Sequence, residues 1–152
     1  MIDDTTKSTK ITKTKCDILF LEGWCCGSSE IPKKILHKNI NNLEKIKDPN
    51  YQWRNFYNNK LKLEYKKLFK LFDELIFLKT SSFNNVFKWR LKQEKTNQSK
   101  NKKSKRMTLN EIKYFVQHYE KITKWMMKDL NKKAQIVIKF EKNHKISSIN
   151  FN

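Results

Sequence analysis

Residues 17–27, Asp-Ile-Leu-Phe-Leu-Glu-Gly-Trp-Cys-Cys-Gly, limit what this chain can fold into more than any other stretch. The apolar run 18–21 is short for a helix and suits a strand buried on both faces of a parallel sheet. A carboxylate, Glu22, follows it directly. The loop behind Glu22 holds Gly23 and Gly27, the only 2 glycines of the protein, in a chain that otherwise turns on Lys, Asn and Ser. That concentration marks a place where the backbone needs freedom that other residues lack. A buried run ending in an acid and a glycine turn delivers the acid to the carboxyl end of a sheet, where α/β proteins hold phosphate-bearing ligands.

The rest of the chain reads as alternating helices and strands. Ser28-Ser29-Glu30 and Pro32 lead into a helix start. Trp53, Phe56, Tyr57, Leu61, Tyr65, Leu68, Phe69 and Phe72 recur at three- and four-residue spacings and predict one long amphipathic helix with those residues on its apolar side. Residues 75–78 read as a second buried strand. A helix begins near Phe83 and carries Val86, Phe87, Arg90, Leu91 and Glu94 before giving way to a mobile basic loop over 95–106. Thr108-Leu-Asn-Glu111 is a capping-box string opening a further helix with Ile112, Phe115, Val116, Tyr119, Ile122, Met126 and Leu130 on one side. Residues 134–140 alternate and are rich in branched side chains, a third strand, with Asn143-His144 as a turn and 147–152 as a tail. Strands separated by helices predict an α/β fold with a parallel sheet, and no internal repeat is visible.

Composition sets the outer limits. At 152 residues and 38% hydrophobic content the chain has material for the core of one modest domain. The leader, residues 1–15, is polar, with five threonines and no periodicity, and is expected to be disordered. It has no apolar core, so it is not a secretory signal. No apolar stretch approaches the roughly 20 residues of a membrane span. A net charge of +19 would suit a nucleic-acid partner, but only Arg54, Arg90 and Arg106 of the 34 basic residues are arginines. Asn and Ile are abundant too, the pattern an AT-rich coding sequence leaves, whereas a phosphate-gripping surface favours Arg forks. Cys16, Cys25 and Cys26 form no C-x-x-C pair, which argues against disulfide or zinc chemistry and for a cytoplasmic protein, with an organellar destination left open by the Thr- and Lys-rich leader.

From Glu22-Gly23-Trp24 and Gly27 onward the chain resembles P-loop kinases of the D-glycerate 3-kinase type. The resemblance continues through Asn42-Leu43-Glu44, Asp48-Pro49, Trp53-Arg54, Tyr65, Leu68-Phe69, Asp73, Ser82-Phe83, Trp89-Arg90-Leu91, Gln93-Glu94, Met107-Thr108, His118-Tyr119-Glu120 and the strand near 136–140. It spans about Asp17 to Ile146, so that residues 16–146 correspond to the C-terminal half of the kinase domain. No G-x-x-x-x-G-K-[ST] string, the loop that cradles nucleotide phosphates, occurs in the 152 residues. The resemblance therefore implies a partial P-loop kinase fold lacking the phosphate-loop strand and helix. In such kinases that strand lies between those corresponding to 18–21 and 75–78, and its loss leaves unpaired edges.

What the resemblance implies for chemistry is transfer of the γ-phosphoryl group of ATP, with Mg2+, to a hydroxyl of a small acid. Glu22 is then the candidate catalytic carboxylate, for the hydroxyl proton or for magnesium, through water. Arg90, just before the basic loop, is the candidate phosphoryl clamp of a closing lid. Trp24 and Arg54 are candidate substrate-binding residues, against packing roles for both, Arg54 near Asp48. His118 reads as a hydrogen-bonded helix residue, His37 and His144 as surface residues. Lys121 stands where the family has an Arg and makes a poorer phosphate clamp there. The implied partners are a small-molecule substrate and a separate N-terminal half. A non-catalytic remnant or subunit and a basic nucleic-acid-binding protein are the rival readings.

Overall fold

A computed structural model describes residues 15–100 and 107–152. The element order is α1 (Lys33–Leu36), α2 (Asn42–Lys47), α3 (Gln52–Lys60), a π-helical turn (Leu61–Tyr65), α4 (Lys66–Phe69), β1 (Ile76–Thr80), α5 (Phe83–Lys100), α6 (Leu109–Lys133), β2 (Ile136–Phe140) and β3 (Ile146–Phe151). This is an α/β fold with one three-stranded sheet in the order β1-β2-β3.

The sheet is mixed, not wholly parallel. β1 and β2 pair in parallel, Ile76 opposite Ile136 and Leu78 opposite Ile138, and the α5–α6 pair makes the crossover that a parallel connection requires. β3 returns antiparallel to β2 after the turn at Glu141 to Lys145, setting Ile149 against Ile138 and Phe151 against Ile136. The closing residues are thus a strand where a tail was expected. Their alternation is weak because Ser147, Ser148 and Asn150 interrupt it, so register with β2 makes the strand, not its own pattern.

Residues 18–21 are not a strand. They run without ladder partners among the described residues, with Ile18 70%, Leu19 85%, Phe20 82% and Leu21 54% exposed. A strand exists through hydrogen bonds to its neighbours, and the three-stranded sheet offers this segment none. The apolar run identified it as core; without adjacent strands nothing covers it.

The helix over 52–69 is continuous, with the π turn in its middle; of its expected apolar side Leu61 lies in the core and Tyr57 and Phe69 pack against it, but the stripe is shared with polar residues. Arg54, Asn58 and Leu61 face inward, whereas Trp53, Phe56, Leu63, Tyr65 and Leu68 are exposed. Its polar members are buried because they find partners: Asn58 donates to the Ile31 carbonyl at 3.0 Å and accepts from the Ile31 amide at 2.7 Å.

Helix α5 runs to Lys100, so residues 95–100 of the expected basic loop are helical, and 101–106 lie outside the described residues, as do 1–14 of the leader. Helix α6 organises the core. Its Ile122, Met126 and Leu130 meet Phe77 of β1, Val137 of β2, and Ile31, Leu36 and Leu61 from the first half. Thr108 and Glu111 cap it reciprocally as the sequence predicts. No helix among the described residues is long and apolar enough to cross a membrane. Thr108→Ala should lower stability by about 1 kcal/mol, read as a lower urea midpoint with an unchanged slope.

Candidate functional site

The Glu22 loop is held by its far end. Gly27 sits at φ +78°, and a Cβ there would come within 2.7 Å of a Leu75 methyl group, so both backbone sign and space select glycine. Ser29 then donates to Asp129 of α6 at 2.6 Å, and the Trp125 indole N–H donates to Ser29 at 3.3 Å. At the near end the Trp24 indole N–H donates to Thr123 at 3.1 Å and its ring meets Tyr119 edge-on at 4.6 Å. Both ends are thus pinned to α6. Glu22 itself is exposed, and no ion pair among the described residues engages it.

Beside the loop lies an open cleft of about 630 Å3, bounded by Gly27, Ser28, Ser29 and Glu30 on one side and by Leu61, Phe69, Trp125 and Asp129 on the other. Lys66, Lys70 and Lys133 stand around it. Lys133 is bound to Asp129 at 2.8 Å. Cys25 and Cys26 fill the loop. Burial raises both thiols above their ordinary range, with Cys26 adding to the rise at Cys25 and Glu22 to that at Cys26, so neither is an activated nucleophile.

Arg90 lies elsewhere, on α5. Its guanidinium pairs with Glu94 at 2.9 Å, donates to Gln93 at 3.0 Å, contacts the Met107 sulfur, and sits 5.3 Å from the Phe115 ring centre. Its Nε is buried with no hydrogen-bond partner among the described residues. No hydrogen bond joins Arg90 to Glu22 or Trp24 among the described residues; the structure does not bring the two candidate catalytic groups into contact.

Arg54 takes the packing role. Its side chain has 0% exposure; it bonds Asp48 at 2.7 Å and Glu44 at 3.4 Å, and donates to the carbonyls of Leu36 and Asp48. A guanidinium so enclosed does the work of the second role read for it, packing near Asp48, and offers no exposed face to a substrate in this structure. Lys121 joins the same cluster, reaching Glu44 at 3.2 Å and the carbonyls of Ile35 and Lys38 at 3.1 and 2.6 Å. The Lys that stands for the family's Arg is therefore buried structure. Of the histidines, His118 bonds the Phe115 carbonyl within its helix, as expected. His37 is half-buried, stacked on Tyr51 and bonded to Asn55, and exposed His144 stacks on Trp89.

Asp48 was the expected packing neighbour of Arg54; Glu44, its second carboxylate partner, was not expected. One local signal existed: Asn41 caps α2, accepting from the Glu44 amide at 3.0 Å, and Asp48 accepts from the amides of Trp53 and Arg54. The link to Lys121, far away in sequence, left no signal at all.

Two solved structures share this fold. D-glycerate 3-kinase from Cryptococcus neoformans var. grubii superposes on 93% of the chain with a TM-score of 0.70 and 19% sequence identity. A structure titled YGR205w protein covers 84% of the chain with a TM-score of 0.54 and 23% identity. The likeness shows the fold. The chain spans about half of each, 52% and 45% of their lengths. No family model and no curated protein sequence matches the chain.

Two outcomes follow from the ion cluster. Arg54→Met should destabilise the fold by about 3–5 kcal/mol, because it strips buried Asp48 of its cation and leaves Glu44 with Lys121 alone; a thermal or urea melt reads it. Burial pushes the Asp48 carboxyl up, but the Arg54 side-chain bond, the Trp53 and Arg54 amides and the Arg54 charge outweigh it, leaving Asp48 below its ordinary value. Its stabilisation is therefore complete above the unfolded value of about 4 and is lost as pH falls through and below it. Asp48→Asn should lower the urea midpoint at pH 7 and flatten its fall below about pH 4.

Proposed function

We propose that the chain is the C-terminal half of an ATP-dependent small-molecule kinase of the D-glycerate 3-kinase type. It acts in the cytoplasm with a phosphate-loop-bearing N-terminal half that its sequence does not include. The observation that carries this reading is Glu22: an exposed carboxylate, in no ion pair among the described residues, at the mouth of a glycine loop pinned to α6, in a fold shared with a D-glycerate 3-kinase. The three free cysteines suit a reducing compartment.

The reaction proposed is attack by a hydroxyl oxygen of a small acid on the γ-phosphorus of ATP, with cleavage of the bond to the β-phosphate bridging oxygen and release of ADP. Glu22 receives the hydroxyl proton or holds a metal-bound water. Mg2+, when bound, supplies charge neutralisation on the phosphates. Among the described residues no group of three or more His, Cys, Asp or Glu could hold a metal ion. A single carboxylate nevertheless fits magnesium, which keeps most of its coordination as water and nucleotide phosphate oxygens. Trp24, 46% exposed and fixed through Thr123 and Tyr119, is suited to wall the acceptor. Arg90 keeps Nε without a hydrogen-bond partner among the described residues, and its ion-pair partner Glu94 is on its own helix; clamping a phosphoryl group requires the guanidinium to leave Met107 and Phe115 as α5 moves.

The purified 152-residue chain should show no magnesium-dependent ATP turnover with D-glycerate, since it lacks the amides and Lys that cradle the phosphates. Turnover by the chain alone, abolished by Glu22→Gln, contradicts this. With a phosphate-loop half supplied, Glu22→Gln should lower kcat strongly with little change in the KM for ATP. Arg90→Lys, which keeps the charge and loses the fork, should cost about tenfold in kcat/KM, or roughly 1.4 kcal/mol. An unchanged kcat for Glu22→Gln removes Glu22 from the chemistry.

A further inference from the structure

The helix over 52–69 does not keep one register. Residues three and four apart share a side of an α-helix, so from Leu61 that side would pass to Tyr65 and Leu68. The π-helical turn Leu61–Tyr65 admits one extra residue, and the side that begins at buried Leu61 continues instead to Lys66 and then to Phe69 and Lys70. Tyr65 and Leu68 are turned outward, 43% and 42% exposed. The turn thus exchanges two apolar residues for two lysines, and it does so at the wall of the cleft of about 630 Å3, which Leu61, Lys66, Phe69 and Lys70 line together. π turns are rare and gather at functional sites. Lys60, ahead of the turn, is paired with Glu64, whereas Lys66 and Lys70 have no ion pair and no side-chain hydrogen bond among the described residues. The α6 wall, by contrast, is already committed: Trp125 donates to Ser29, Ser29 to Asp129, and Asp129 is bound again by Lys133.

We infer that this cleft binds a small phosphate monoester carried on a flat ring, the ring against Phe69 and Trp125 and the phosphate on the ammonium groups of Lys66 and Lys70. An ammonium is a point charge that meets phosphate without the geometric demand of an Arg fork, and two of them match one dianionic group. The aromatic walls take a ring offset-stacked or edge-on, and the bonds that hold Trp125 to Ser29 fix that wall in advance. The volume falls within the roughly 300–1,000 Å3 of ligand pockets. Glu30, the one acid of the cleft outside an ion pair among the described residues, opposes a larger anion, so a single phosphate suits the site and a chain of phosphates does not. Neither Glu22 nor Trp24 lines the cleft. Trp125, Asp129 and Lys133 belong to the end of α6 that leads into β2, at the amino end of the parallel strands. The inference therefore stands independently of the kinase reading.

The probe is 1-naphthyl phosphate, titrated into the full 152-residue chain by isothermal calorimetry, with inorganic phosphate and 1-naphthol as the parts of it that lack the ring and the charge. One molecule per chain is expected, bound at least tenfold more tightly than either part. The double variant Lys66→Gln, Lys70→Gln and the single variant Trp125→Leu should each weaken it at least tenfold. Lys60→Gln, which removes the same kind of charge ahead of the π turn, should leave it unchanged. Circular dichroism identifies a variant that fails to fold; both cleft lysines are exposed, so the double variant carries the test where Trp125→Leu does not fold. No saturable binding, or binding indifferent to the double variant, overturns the proposal. So does inorganic phosphate binding as tightly as the probe, since the ring then contributes nothing. A loss on Lys60→Gln equal to that on the double variant overturns it too, because the net charge of +19 then gathers the anion at no particular place.

Discussion

A buried quartet of two acids and two bases, Glu44, Asp48, Arg54 and Lys121, holds the first half of the chain to the second. Arg54 alone ties the end of α1, the end of α2 and the interior of α3 together, and Lys121 fastens the turn after α1 to the long central helix. Taking four charges out of water costs several kcal/mol per ion, so such a cluster is stable only when every member is bonded, and here each is. The consequence is geometric. With the 35–54 region fixed on α6, the Ser28–Pro32 segment has a defined path, and the Glu22 loop is suspended between Thr123 and Asp129.

The fold was legible where local rules agree with tertiary ones. The capping box at Thr108, the apolar stripe of α6 and the crossover between β1 and β2 all follow from periodicity and turn chemistry. It was illegible where burial depended on a partner distant in sequence. Arg54 and Asn58 occupy the inward stripe of their helix in place of Trp53 and Phe56, an outcome invisible without Asp48, Glu44 and the Ile31 backbone in position. The same holds for β3, whose Ser and Asn residues read as a tail until β2 supplied a register.

The candidate site divides along similar lines. Glu22 and its glycines were recognisable because an acid after an apolar run has a strong local signature; the fold adds the reason at Gly27, a backbone φ of +78° that other residues adopt only under strain. Arg54 was left between two roles because rarity among lysines made an arginine look functional, when the same planar fork serves equally to bond buried carboxylates and carbonyls, as it does here. Arg90 lies between these cases, paired within its helix yet with one donor unspent. Residues 18–21 show the limit most clearly: their composition is that of a core strand, and the core that would receive them is not formed by the described residues.

Among the described residues the three-stranded sheet is packed on its α6 side by the apolar core and open on the other. Native-state hydrogen exchange on the 152-residue chain tests this most directly, because local stability differs sharply between the two sides. The amides of α6, β2 and Arg54 should exchange slowest, while residues 18–21 and the outward amides of β1 exchange near the rate of unstructured peptide. Protection of residues 18–21 equal to that of β2 would contradict the account, since it requires a complete sheet within this chain alone.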